Sequence, residues 1–207
     1  MVQTKIPENV SQSEESSFRE MGGVLGRIVS VIAVAFALFH IYAGGVRPLV
    51  AYEQRGVHLT FALVLTFLLA PYKKGKGISW IDIALSVVSA AAGSYLFFQA
   101  DEIIDRMGIQ TTLDLVAGGV IALLVLEATR RLLGPAISII AGVFLLYAYF
   151  GYLAPHAFAH EGYSIERIIG QLSLATEGIY GVPLGASATF VILFIIFASF
   201  LSESGAG

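Results

Sequence analysis

The feature that most constrains this chain is a series of uncharged runs of membrane length. Ile28 to Val46 gives nineteen uncharged residues, and Pro135 to Ala154 gives twenty. As helices rising 1.5 Å per residue, these runs extend about 28 to 30 Å, the thickness of a bilayer's hydrocarbon core. Three more runs hold sixteen residues each: Val57 to Tyr72, closed by Pro71; Ile83 to Phe98; and Ala186 to Leu201. A chain built this way has to bury its apolar surface in lipid, and helices satisfy every backbone donor and acceptor there.

Composition agrees. Hydrophobic residues make up 57% of the 207 and charged residues 13%, with a mean hydropathy of +0.80. These values lie far from a soluble domain. The net charge of −3 offers no basic field for nucleic acid. With no cysteine there is no disulfide framework, thiolate metal site or cysteine nucleophile. HExxH, GxSxG and phosphate-loop motifs are absent, so neither an enzyme nor an ATPase is expected, and no catalytic, metal or cofactor residue is assigned.

Taken in order, Met1 to Gly23 is polar and Ser/Glu-rich, unlike a signal peptide. It is expected to be a disordered cytoplasmic tail; the alternative is a short docking segment around Phe18 and Met21. Segment one is Ile28 to Val46. Segment two is Val57 to Tyr72, with Arg55 and Gly56 recruited at its outer end by snorkelling. Lys73, Lys74 and Lys76 then mark a loop, and Trp80 takes an interfacial position before segment three, Ile83 to Phe98. Asp114 caps or flanks a fourth segment reaching Leu133. Its strictly uncharged part, Leu115 to Leu126, has only twelve residues, so Glu127, Arg130 and Arg131 belong near an interface. Glu127 and Arg131 have the i,i+4 order that favours pairing. Gly134-Pro135 breaks the helix ahead of segment five, Pro135 to Ala154. Within Ser164 to Ala175, Ile165, Ile168, Ile169 and Leu172 share one helical face, which predicts an interfacial amphipathic helix.

The expected fold is therefore an all-α polytopic membrane protein of about six transmembrane helices plus that amphipathic helix. With the N-terminus inside, eight basic residues (Lys5, Arg19, Arg27, Lys73, Lys74, Lys76, Arg130, Arg131) face the cytoplasm. Four (Arg47, Arg55, Arg106, Arg167) face outward, and this balance favours that orientation.

Few residues suggest chemistry. His156, His160 and Glu161 form an HxxxHE string, which FGYLAP before it places in a loop more readily than a metal-binding helix. His40, inside segment one, suits hydrogen bonding between helices. Ser89 with Gly93, and Ser138 with Gly142, would let helices approach closely. Gly178, Gly181, Pro183 and Gly185 break the approach to segment six, and Pro183 argues for a break over a GxxxG dimer face.

Two stretches carry a family resemblance. EATRRLLGPAISIIAGVFLLYAYFGYL (Glu127 to Leu153) and TEGIYGVPLGASATFVILFIIFASFLSESGAG (Thr176 to Gly207) resemble TRAP (tripartite ATP-independent periplasmic) transporter permeases of the fused, TAXI-associated type. The resemblance implies the N-terminal portion of such a permease. Residues 1–24 would be the cytoplasmic tail, 25–133 a small-subunit-like four-helix domain, 134–154 a connecting transmembrane helix, and 155–207 the truncated beginning of the large transport subunit. Gly181, Pro183 and Gly185 would mark the helix break at the opening of that large domain, with substrate-binding residues expected beyond Gly207. It further implies import of an organic acid, a carboxylate, delivered by a periplasmic TAXI-type solute-binding protein and driven by a sodium or proton gradient. Its partners would be the lipid bilayer and the remainder of the permease, in a bacterial or archaeal inner membrane. The alternative from another class is a non-transporting membrane scaffold or regulatory subunit.

Overall fold

The protein is described by a computed structural model that covers residues 19, 22–72, 77–106 and 109–205. Lys73, Lys74 and Lys76, and nearly all of the polar N-terminal tail with Phe18 and Met21, lie outside the described residues. Within them the chain is all-α, with eight helices and no strand. These are α1 (Gly23–Gly45), α2 (Ala51–Leu69), α3 (Trp80–Phe98), the short α4 (Ala100–Asp105), α5 (Thr112–Leu133), α6 (Pro135–Tyr149), α7 (Ile165–Ser173) and α8 (Val182–Ser204).

Local chemistry sets the helix ends. Ser79 opens α3 and Thr111 opens α5, each in a capping box closed by an aspartate three residues on, Asp82 and Asp114. Each box satisfies backbone donors that the first turn leaves free. Gly134, at φ 87°, reverses the chain in one residue, and Pro135 then starts α6 where its missing N–H costs nothing.

The core lies among α2, α3 and α5, around Leu63, Phe67, Leu96, Ile121 and Leu124, with Tyr180 entering from the loop before α8. A Cβ on Gly93 would run into the Thr60 side chain, so that glycine lets α2 and α3 close together. Gly118 does the same for α7, whose Ile169 lies over it against the second turn of α5. Outside the core the apolar pattern is turned outward: Val31, Val34 and Leu38 on α1, Val87 on α3, Leu123 on α5, Phe144 on α6, and Phe194, Phe197 and Phe200 on α8 are all exposed. So large an apolar surface requires lipid around it.

Four helices are long and apolar enough to cross a membrane, namely α1, α3, α5 and α8. The fourth segment, short on its uncharged core alone, qualifies by length and composition, with 22 helical residues; within it Glu127 and Arg131 pair at 2.8 Å. Segments two and five differ from expectation. Helix α2 begins six residues earlier than the apolar run, at Ala51, and so takes in Glu53, Gln54 and Arg55. Helix α6 stops at Tyr149, where the chain passes into a 3₁₀ turn at Gly151–Leu153, leaving fifteen helical residues of the twenty uncharged ones.

Trp80, the only tryptophan, is the first residue of α3 and is 77% exposed. In vesicles its emission is expected to be quenched more strongly by a headgroup-linked nitroxide than by one deep on the acyl chain. Stronger quenching from the bilayer centre would remove α3 from its assigned depth.

Candidate functional site

The polar face of α2 builds the candidate site. Gln54 and His58 are one turn apart, with Tyr52 and Arg55 beside them, and together they meet the chain leading into α8. The Tyr52 hydroxyl donates to the Ser173 carbonyl at 3.3 Å, and its ring lies 4.9 Å from that of Tyr180. The Gln54 amide donates to the Ala188 carbonyl at 3.1 Å. Arg55 Nη1 donates to the Tyr180 carbonyl at 2.6 Å. Segment two had been expected to let Arg55 snorkel toward water; the guanidinium instead satisfies a carbonyl of the folded loop.

At its deeper end the seam continues as a chain of three side chains. His40 of α1, 1% exposed, has Nδ1 2.9 Å from the Phe36 carbonyl. Its Nε2 lies 2.9 Å from His58 Nδ1, and His58 Nε2 lies 3.1 Å from Ser187 Oγ. A carbonyl only accepts, so His40 carries its proton on Nδ1. With both rings neutral, His40 Nε2 accepts from His58 Nδ1–H, and His58 Nε2 accepts from the Ser187 hydroxyl. Every hydrogen in the chain has a place. His40 thus forms the interhelical bond expected of it, through a partner that the sequence reading had not singled out.

The break before α8 is arranged differently from expectation. Pro183 lies in the first turn of α8 and Gly181 is its N-cap, so proline starts the helix and does not interrupt it. The irregularity comes later, as a π turn at Ser187–Val191 inside the run expected to be a regular helix. Such a turn shifts carbonyls off the regular ladder, and the buried Ala188 carbonyl here receives Gln54. Gly185 is required by proximity, since a Cβ there would lie 2.8 Å from Arg55 Nε. Burial, with Tyr52 adding to it, pushes the Tyr180 phenol above its ordinary range, so it stays neutral.

Gly185→Ala is expected to cost about 1 to 2 kcal/mol by driving the guanidinium off the Tyr180 carbonyl. The double variant Arg55→Ala/Gly185→Ala should be no less stable than Arg55→Ala alone, because the methyl then has room. Additive losses in detergent unfolding would show that Gly185 acts elsewhere.

Charge is concentrated at the two ends of the α3/α5 pair. At one end Arg131 Nη1 lies 2.7 Å from Asp82, and Arg19 lies 3.0 Å from the other Asp82 oxygen. Glu127 pairs with Arg131 at 2.8 Å and with Arg130 at 2.7 Å. Arg131 also donates to the Ala70 carbonyl and stacks over Phe67, at 5.0 Å from the ring centre. At the other end Asp114 accepts from the Tyr95 hydroxyl at 2.9 Å and pairs with Arg106 at 3.2 Å.

His156 and His160 are not brought together as a ligand pair. The stretch from Pro155 to Tyr163 is not helical; His156 is exposed, while His160 accepts from the Gly162 N–H, stacks on Tyr163 and meets Tyr147 edge-on. Gly142, unlike Gly93, has no neighbour within 4 Å and is not a point of helix contact. Gln54, His58, Ser187 and Asp82 were missed by sequence reasoning. The signal available for the first two was the polar run EQRGVH placed directly before an apolar one.

Fold and surface define the class, a multi-pass all-α membrane protein whose helices are joined by buried polar contacts. Comparison with protein-family models, with curated proteins and with solved structures finds no match.

Proposed function

We propose that this chain is the scaffold-forming portion of a TRAP-type permease of the fused kind. In this reading it supports secondary active import of a carboxylate, delivered by a periplasmic TAXI-type binding protein and driven by a sodium or proton gradient. The observation that carries the proposal is the seam from Tyr52 to His58. It ties the helices assigned to the small subunit to the segment assigned to the large one through four hydrogen bonds. A part that must stay still while another moves needs such a joint, because polar contacts away from water are costly to break. The eight-to-four distribution of basic residues supports a cytoplasmic N-terminus in a bacterial or archaeal inner membrane.

The test is loss of the gene in its host. Uptake of labelled small carboxylates should fall, respond to collapse of the sodium or proton gradient, and return on complementation. A solute-binding protein should be recovered from the periplasmic fraction with the purified permease. Unchanged uptake, with no periplasmic protein recovered, would favour the non-transporting scaffold instead.

A further inference from the structure

Helices α6 and α7 leave between them a groove that the proposed transport role does not use. One part, about 450 Å³, is lined by Ala148, Tyr163, Arg167, Gln171 and Glu177. It meets, at Ile168, an apolar part of about 400 Å³ lined by Gly142, Leu145, Leu146, Tyr149 and Ile165. The polar part holds one charge of each sign. Arg167 is held over the Tyr163 ring at 5.0 Å, and Glu177 is fixed by the Gln171 amide at 2.7 Å. Both side chains are therefore oriented, and each keeps hydrogen-bonding capacity to spare.

The depth is right for a lipid headgroup. Ile169 places α7 beside the first turns of α5, and α6 returns antiparallel, so the Tyr147, Tyr149 and Tyr152 cluster stands at that same end of the bundle. From Ala148 the apolar part runs back along α6 to Gly142, about 9 Å deeper at 1.5 Å per residue. Gly142 has open space where a side chain would be, which gives the groove its width.

We infer that this groove binds one phospholipid with a primary-ammonium headgroup, phosphatidylethanolamine. Its phosphate lies on Arg167, its ammonium on Glu177 and an acyl chain along Gly142. A guanidinium pairs with a phosphate diester, and a carboxylate takes hydrogen bonds from an ammonium that a quaternary choline cannot give. An anionic glycerol headgroup would leave Glu177 facing uncompensated negative charge.

The experiment is native mass spectrometry of the full chain in detergent, titrated separately with phosphatidylethanolamine, phosphatidylcholine and phosphatidylglycerol of identical acyl chains. One phosphatidylethanolamine should be retained about tenfold more tightly than phosphatidylcholine. Glu177→Gln should abolish that preference while leaving the fold intact, as judged by an unchanged melting temperature. Gly142→Leu, which fills open space, should remove retention of every lipid. Equal retention of the three lipids, a preference for phosphatidylglycerol, or indifference to Glu177→Gln or Gly142→Leu would overturn the assignment. So would failure of the chain, purified gently from its own membrane, to carry any phosphatidylethanolamine.

Discussion

Replacing Asp82 by asparagine is expected to lower stability by about 3 to 5 kcal/mol, the range for removing one member of a buried ion pair. The amide can still accept from the Ser79 N–H, so helix capping survives. What is lost is the charge that faces two guanidinium groups. Arg131 is 1% exposed on its side chain and Arg19 is 11% exposed, so neither is well served by water. Arg131→Met should cost less, because Asp82 keeps Arg19 and Glu127 keeps Arg130. The double variant Asp82→Asn/Arg131→Met should recover part of the loss, since the stranded charge goes with its partner. Trp80 lies two residues from Asp82, and its fluorescence during denaturation in detergent reports all three variants. A loss below about 1 kcal/mol for Asp82→Asn would mean that the cluster is solvated and contributes as a surface pair does.

The second large effect concerns His58. His58→Leu removes both partners at once, leaving His40 Nε2 without its donor and Ser187 Oγ without its acceptor. A buried imidazole nitrogen and a half-buried hydroxyl left unpaired cost about 2 to 4 kcal/mol together. The loss should fall on the joint between α2 and α8, with faster hydrogen exchange around Ser187 and little change in α5. Nitrogen-15 NMR of the histidines provides a sharper check. Both neutral rings should carry the proton on Nδ1, because the Phe36 carbonyl dictates the first tautomer and the first dictates the second. An Nε2–H tautomer on either ring, or a charged His40, would reverse the chain of donors and refute the assignment.

Much of the fold was legible because hydrophobic runs and helix punctuation are local. Asp114 as a cap, Glu127 with Arg131, the Gly134-Pro135 turn and the amphipathic Ile165–Ser173 helix each depend on residues a few positions apart. The partners of Asp82 are 63 and 49 residues away, and His58 meets Ser187 across 129. No periodicity encodes such pairings. Helix α6 was overestimated because an uncharged run is an upper limit on a span, and Gly151 lets the chain turn before the run is used up. The π turn escaped for the opposite reason: its residues, Ser187 to Val191, contain neither glycine nor proline, and tertiary contact selects the conformation.

The two capping boxes have a mechanical consequence. Each aspartate closes its own helix and also grips the far end of the neighbouring antiparallel one, Asp82 holding Arg131 and Asp114 holding Tyr95. These rungs stand at opposite ends of the pair, so axial sliding of α3 against α5 strains both together. One helical turn of slip, about 5.4 Å, would break both. Neighbouring helices in membranes often accommodate a change of state by small shear, and this pair is pinned against it. Motion in the assembly has to be found elsewhere, with α3 and α5 travelling as a single strut.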